Sequence, residues 1–338
     1  MSAYLTDFQQ KLCNLLQQGL PICDSPFVEL AKTLQASEDE VLLQVRKLKE
    51  LGLIRRICAI VNHRALGWVS TLVTAHVPAR KLRDLTPAVN CLPGVSHNYL
   101  RDHNYNLWFT LQAKSFHEIE STLSNLSSRF AVDFHSLPVR RVFKLDVRFD
   151  AQSEGSVSGA ATRLSSPKSG PASGSQVPKN EVVDLDKNEK LLVSRIQDGL
   201  EITTRPFASL SSEDVASQEV LKILRGLIDK GVIRRVAAIL DHRRLGFAAN
   251  VLFVCKVPPD RIVHAGQTLA GLPIVSHCYE REVFQGWPYN LFAMMHGRSA
   301  DDIQRVTKEF TAAEGIKSFQ LLPTIAELKK QPVKYYTL

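Results

Sequence analysis

The chain has 338 residues, of which 44% are apolar and 22% charged, an ordinary soluble composition too long for one small core. No apolar run reaches the roughly 18–20 residues of a membrane span, and the first seven residues lack the basic and apolar regions of a signal peptide, so a cytoplasmic protein is expected. The formal net charge of +8 is mild and spread out, which admits an anionic partner without naming one.

In chain order, Asp7 to Gln18 reads as a first helix, ending at Gly19. Pro26-Phe27-Val28-Glu29-Leu30 opens a second, with Pro at an early position where its missing N–H costs little. Ser37-Glu38-Asp39-Glu40 is a capping box for a third, whose apolar positions are Val41, Leu42, Val45, Leu48 and Leu51 and whose stop is Gly52. A β-hairpin is expected next, completing a winged helix-turn-helix. Trp68 to Val77 is β-rich, Arg80 to Asn90 helical, and strands are expected around Val95–Tyr99 and Asn106–Leu111. A helix over Ser115–Phe130 and a last strand make β-α-β-β-α-β, the ferredoxin-like order.

Residues 151–180 contain 8 Ser, 4 Gly, 4 Ala and 3 Pro and read as a flexible linker, with a typical span of about 30 Å. The pattern then repeats. Helices are expected over Lys187–Asp198, from Pro206-Phe207, and through Val220, Ile223, Leu224, Leu227 and Ile228 up to Gly231. Strands are expected over Phe247–Val257, Ile274–Tyr279 and Asn290–Met295, with helices over Arg261–Leu269 and Ser299–Phe310. The expected fold class is therefore α+β. Winged helix-turn-helix units at 1–66 and 181–245 each precede a ferredoxin-like unit, at 67–150 and 246–338. This is the layout of Lrp/AsnC regulators, with the ferredoxin-like unit in the place of their effector domain.

The duplication extends to polar residues. Ile54-Arg55-Arg56 returns as Ile233-Arg234-Arg235, and Asn62-His63-Arg64 as Asp241-His242-Arg243. Val95-Ser96-His97 with Tyr99 and Arg101 returns as Val275-Ser276-His277 with Tyr279 and Arg281. On a strand, alternation places His97, Tyr99 and Arg101 in one row, and His277, Tyr279 and Arg281 in its copy. Such a row offers a proton-transfer group, a phenol and a carboxylate fork, although a hydrogen-bonded hairpin with a rim Arg would look the same. Neighbouring Arg on a strand face opposite ways, so one Arg of each pair is expected to point inward, toward an anion.

DNA binding fits poorly, because the third helix begins with three acids where phosphate-neutralising residues would count most. The six cysteines form no C-x-x-C pair, which argues against zinc and against a disulfide framework, and no glycine-rich phosphate loop is present.

The stretch Val95 to Trp108 resembles one subunit type of the siroheme decarboxylases, an enzyme family of Lrp/AsnC shape. The stretches Val275–Arg281 and Trp287–Phe292, with His296-Gly297, resemble the other type. The resemblance covers nearly the whole chain except the linker and implies a natural fusion of the two subunits. It implies removal of CO₂ from two acetate arms of siroheme, an iron tetrapyrrole with eight carboxylates, on the way to d1-type haem or in the alternative haem pathway. It further implies His97 and His277 as proton donors or ligands to the substrate iron, with no metal and no cofactor of the protein's own. Arg101 and Arg281 would be carboxylate clamps, and Arg55, Arg56, Arg234 and Arg235 would hold peripheral carboxylates. His63, Arg64, His242, Arg243, Tyr99 and Tyr279 complete the expected binding set. Tyr105, Trp287 and Tyr289 would wall the macrocycle, while His103 and His296, each in one copy only, would make the two pockets unequal. The pocket with the longer 277–296 loop is favoured as a cover for a large ring. Siroheme is the expected partner, with no DNA and no membrane. The two halves are expected to dock on each other; a homodimer and contacts with other tetrapyrrole-pathway enzymes are the further partners this leaves. A transcription regulator and a non-catalytic tetrapyrrole carrier are the rival readings.

Overall fold

The structure, a computed structural model, describes residues 5–145, 181–213, 215–241 and 243–336. The linker expected at 151–180 and the candidate site residue His242 lie outside the described residues. The first half contains helices α1 (Asp7–Gln18), α2 (Pro26–Leu34) and α3 (Glu38–Glu50), then β1 (Ile54–Val61), β2 (Val69–Ala75) and α4 (Ala79–Asn90). It continues with β3 (Val95–Arg101), β4 (Leu107–Ala113), α5 (Phe116–Phe130) and β5 (Phe134–Leu145). The second half has α6 (Lys187–Ile196), a 3-10 turn over Pro206–Leu210, α7 (Ser217–Asp229), β6 (Ile233–Leu240) and β7 (Ala249–Cys255). After these come α8 (Ile262–Gly271), β8 (Val275–Arg281), β9 (Leu291–Gly297), α9 (Ala300–Ala313) and β10 (Phe319–Lys330).

Local signals account for the helix ends. Thr6 caps α1 reciprocally with Gln9, and the Ser37 side chain accepts from the Glu40 N–H at the start of α3. Gly52 and Gly231 follow the third helix of each half at φ +70° and +69°, a left-handed turn that glycine adopts without strain.

The expected wing hairpin does not form. Strand β1 pairs antiparallel with β6, the equivalent strand of the other half. The turn after β1, closed by Ala65 N–H to Asn62 O at 3.1 Å, sends the chain into β2 and a different sheet, so no return strand lies beside β1. Each edge of the ribbon is instead tied to the opposite half, with Leu20 N–H donating to Val236 O and Leu200 N–H to Ile57 O, both at 2.7 Å. Ile54, Ile57, Ile233 and Val236 join one apolar core made by the helices of both halves.

The remaining eight strands close a barrel in the order β10-β3-β4-β2-β5-β8-β9-β7. Each half contributes four of them in the order β-α-β-β-α-β. The long last strands change partner midway. Phe134–Pro138 continues along β2 before Val139–Leu145 pairs with β8. Phe319–Pro323 pairs with β7 before Thr324–Lys330 pairs with β3. Pro138 and Pro323 stand at the two handovers, where a residue without an N–H interrupts one ladder at little cost. Helices cover the outside over two separate apolar clusters, and a third cluster around Trp108, Trp287, Phe292, Leu137 and Leu322 fills one end of the barrel interior.

Candidate functional site

Strands β3 and β8 carry the expected rows. The His97 and Tyr99 rings lie 6.2 Å apart at 28°, and those of His277 and Tyr279 lie 6.1 Å apart at 32°. The Arg101 guanidinium sits 5.4 Å from the Tyr99 ring centroid and that of Arg281 4.8 Å from Tyr279. In both strands the pairing register slips between the first valine and the histidine. A bulge of this kind re-aims side chains, and here it brings neighbours that would normally point apart onto each other. Ser96 Oγ is 2.9 Å from His97 Nδ1, and Ser276 Oγ is 2.9 Å from His277 Nδ1.

The two histidines differ behind that serine. Ser96 continues to Thr110 Oγ1 at 2.7 Å. Ser276 meets the buried His296 Nε2 at 3.0 Å and the Met294 carbonyl at 3.3 Å. When Ser276 donates to that carbonyl, its oxygen is left to accept from both imidazoles, an arrangement that selects the Nδ1–H tautomer of His277.

The β1–β6 ribbon and the end of β10 supply cations of the site. The two imidazoles act on each other electrostatically, and Arg55, Arg56 and Lys330 add positive charge at His97. Burial, reinforced by these cations, pushes the His97 pKa down to about 4. His63 is likewise pushed down to about 4, by burial and by Arg64 and Arg234, and its Nε2 is buried without a hydrogen-bond partner. Burial raises Tyr99 to about 12 and also raises Tyr279.

Several expected roles change. Arg101 and Arg281 are buried, not placed on a rim, and burial lowers both to about 10. Their Nη1 groups donate to the backbone of the long strands, Arg101 to Leu322 O at 3.0 Å and Arg281 to Leu137 O at 2.8 Å. They hold the tyrosines and the handover strands in place. Trp287, Tyr105 and Tyr289 are not beside the histidines. Trp287 is 2% exposed, with ring centroids 5.6 Å from Tyr105, 5.0 Å from Tyr289 and 5.6 Å from His103. Phe284 of the same loop stacks on His135 at the start of β5, whereas His277 pairs with Leu145 at its end. The longer loop therefore plugs the far end of the barrel and does not cover the mouth where the histidines lie. Strand length imposes this separation, since His277 to Arg281 alone spans roughly 13 Å.

Arg55 is bound to Asp241 and Glu327, and Arg243 is exposed but acts on Tyr99 and Lys330. Arg64 and Arg234 lie together at Tyr279, with Arg235 beside Arg234. Sequence reasoning assigned no role to Ser96, Ser276, Asn62, Asp241, Val142, Glu327 or Lys330. Aligning the two last strands, FHSLPVRRVFKL and FQLLPTIAELKK, would have exposed the Val142/Glu327 and Leu145/Lys330 contrasts. Among the described residues no group of three His, Cys, Asp or Glu could hold a metal ion.

The fold and mouth define a class: paired small-molecule-binding domains carrying helical headpieces. An AsnC-like ligand-binding domain matches at residues 65–144 and 244–329, and a siroheme decarboxylase NirDL-like helix-turn-helix domain matches at 9–55. A siroheme decarboxylase of Hydrogenobacter thermophilus is 34% identical over 330 residues, covering 97% of this chain and 94% of that protein. The siroheme decarboxylase beta subunit of Methanosarcina barkeri, 39% identical, matches 44% of this chain and 99% of its own length. The crystal structure of siroheme decarboxylase NirDL in co-complex with an iron-uroporphyrin III analogue superposes with a TM-score of 0.73 at 30% identity, covering 98% of this chain and 95% of that one. The chain belongs to the siroheme decarboxylase family.

Proposed function

We propose that the chain is a siroheme decarboxylase, a carboxy-lyase that converts two acetate side chains of siroheme to methyls and yields didecarboxysiroheme. Family membership over nearly the full length is the observation that carries this reading. The duplicated His-Tyr stack beneath an arginine ribbon supplies what the chemistry requires. In our reading the helical heads are helix-turn-helix units whose following strands pair across the two halves as an intramolecular ribbon, and the barrel is a fused pair of ferredoxin-like domains. Siroheme is the partner, the protein needs no cofactor beyond this iron-containing substrate, and it works in the cytoplasm. No described helix is long and apolar enough to cross a membrane.

Each turnover breaks one C–CO₂ bond and consumes one proton, as CH₂–COO⁻ becomes CH₃ and CO₂. With its pKa near 4, His97 is neutral at pH 7. A polycarboxylate bound against the ribbon reverses the field and raises the imidazoles toward the range of a useful acid. The macrocycle first gains a proton, which makes it an electron sink for the departing carboxylate bond; the resulting methylene is then protonated and the ring proton returns to the protein, so that one proton is consumed for each CO₂ released. His97 and His277 deliver these protons or ligate the substrate iron. Ser276 and His296 hold the His277 tautomer, and Arg64 and Arg234 take peripheral carboxylates.

Anaerobic incubation of the pure protein with siroheme, followed by mass spectrometry, tests this reading. Two successive losses of CO₂ are expected. Binding with unchanged mass would leave a carrier instead of an enzyme, and a sequence-specific gel shift with DNA would return the regulator reading.

A further inference from the structure

The two faces of the mouth are not equally available to an anion. On the first-half face, Arg55 Nη2 lies 2.9 Å from Asp241 Oδ2 and 3.8 Å from Glu327 Oε1. Lys330 Nζ stands 3.8 Å from Glu327 Oε2, an oxygen that is buried and has no hydrogen-bond partner. Glu327 pairs directly with Tyr99, so this acid sits within the His-Tyr row of β3.

The duplicated positions on the second-half face carry no charge. Asn62 replaces Asp241, and Val142, paired with Tyr279, replaces Glu327. Arg234, the counterpart of Arg55, meets only the neutral Asn62 Oδ1, at 3.4 Å. Among the described residues no carboxylate is within ion-pair distance of Arg64, Arg234 or Arg281. Arg64 and Arg234 instead act on each other, on Tyr279 and on the unpartnered His63. Cations held together without counter-ions raise one another's potential, which makes this face attractive to an incoming carboxylate. On the other face Asp241 and Glu327 already occupy Arg55 and Lys330, and although Arg56 and Arg243 add positive charge there, a ligand carboxylate must compete with two resident ones.

We propose that Asp241 and Glu327 close the first-half face to polycarboxylates, so that the chain holds one macrocycle, seated on the second-half face against Arg64 and Arg234. This deepens the siroheme reading and rests on it. A pocket that is present in shape but filled by its own acids acts as negative selection against a second ligand.

The test is a titration of the full chain with iron uroporphyrin III, an octacarboxylate, followed by Soret absorbance and calorimetry. The wild type should bind one equivalent. Asp241→Asn/Glu327→Val should gain a second, and Val142→Glu should weaken the first by about tenfold or more, as a like charge set against a bound carboxylate would. Circular dichroism and the unfolding midpoint report whether each variant is folded. If Val142→Glu fails to fold, the gain of a site in the charge-removing double variant decides the question alone. Two equivalents in the wild type, or one equivalent that is lost in Asp241→Asn/Glu327→Val, would overturn the proposal. A wild type that binds none would instead overturn the tetrapyrrole reading beneath it.

Discussion

Replacing Ser276 with Ala deletes the hydroxyl that joins two imidazoles, at 2.9 Å to His277 Nδ1 and 3.0 Å to His296 Nε2. His296 is 8% exposed and Ser276 6%, so water does not readily replace what is lost. Two donors deprived of a buried acceptor cost about 1–3 kcal/mol each, so the folded state should lose about 2–6 kcal/mol. For a unit of this size that is roughly 3–10 °C in Tm. Loss of the tautomer lock should also lower the decarboxylation rate by about 10²-fold, the scale of misplaced acid–base catalysis, and shift the pH–rate profile. Ser276→Thr keeps the hydroxyl and should recover most of both. Ser96→Ala is the internal comparison, removing contacts of 2.9 Å to His97 and 2.7 Å to Thr110 without touching the His296 chain. Anaerobic single-turnover rates on siroheme, measured across pH beside thermal unfolding, give the answer. If Ser276→Ala loses stability but keeps the wild-type rate and profile, the chain from His296 is structural and the positioning argument fails.

Three further outcomes follow from the geometry. His63 and His97 are neutral and held near pKa 4 in the folded protein against 6.5 when free, so between those values the unfolded chain binds more protons. Stability should therefore be full above pH 6.5 and fall as pH drops toward 4, as urea midpoints across that range would register. Gly266→Ala would place a Cβ 2.4–2.6 Å from the Phe143 ring. The overpacking cost of about 1–3 kcal/mol exceeds the gain of roughly 0.5–1 kcal/mol from removing a helical glycine, so the urea midpoint should fall. Arg234→Ala should weaken iron uroporphyrin III by roughly 10- to 100-fold, the worth of one charge-assisted hydrogen bond, and flatten the dependence of binding on salt.

Periodicity and caps were strong enough to place nearly every element of both halves, because each amphipathic segment carries its own stop, such as Gly52 or Gly231. The one architectural error, the hairpin after the third helix, shows where local reasoning ends. Ile54 and Ile57 look the same whether their partner strand is eight residues away or, like β6, nearly two hundred. Alternation placed His97, Tyr99 and Arg101 correctly in a row, but it could not tell a rim from a barrel interior, so the two arginines were read as clamps. Trp287, Tyr105 and Tyr289 stand apart from His97 and His277 for a related reason. Trp287 lies only ten residues from His277 in sequence, yet it packs on Trp108 and Phe292, the strand partners of Tyr99 and Tyr279, and not on either histidine. Asp241 and Glu327 were overlooked because attention went to what the copies share, whereas the charge of the site depends on where they differ.

Strands β5 and β10 each begin in the sheet of one half and finish in the sheet of the other, so neither half can close its own edge. A separated half would expose two unsatisfied strand ladders, and the partner is as much a part of its fold as its own helices. In an assembly of two identical chains with this topology, every substitution would be made twice, and an acid admitted on one face would appear on both. Carrying both copies on one chain removes that constraint while keeping their dosage at one to one. Asn62 can then be an amide where its twin is Asp241, and each half is released to specialise without risk of losing its counterpart.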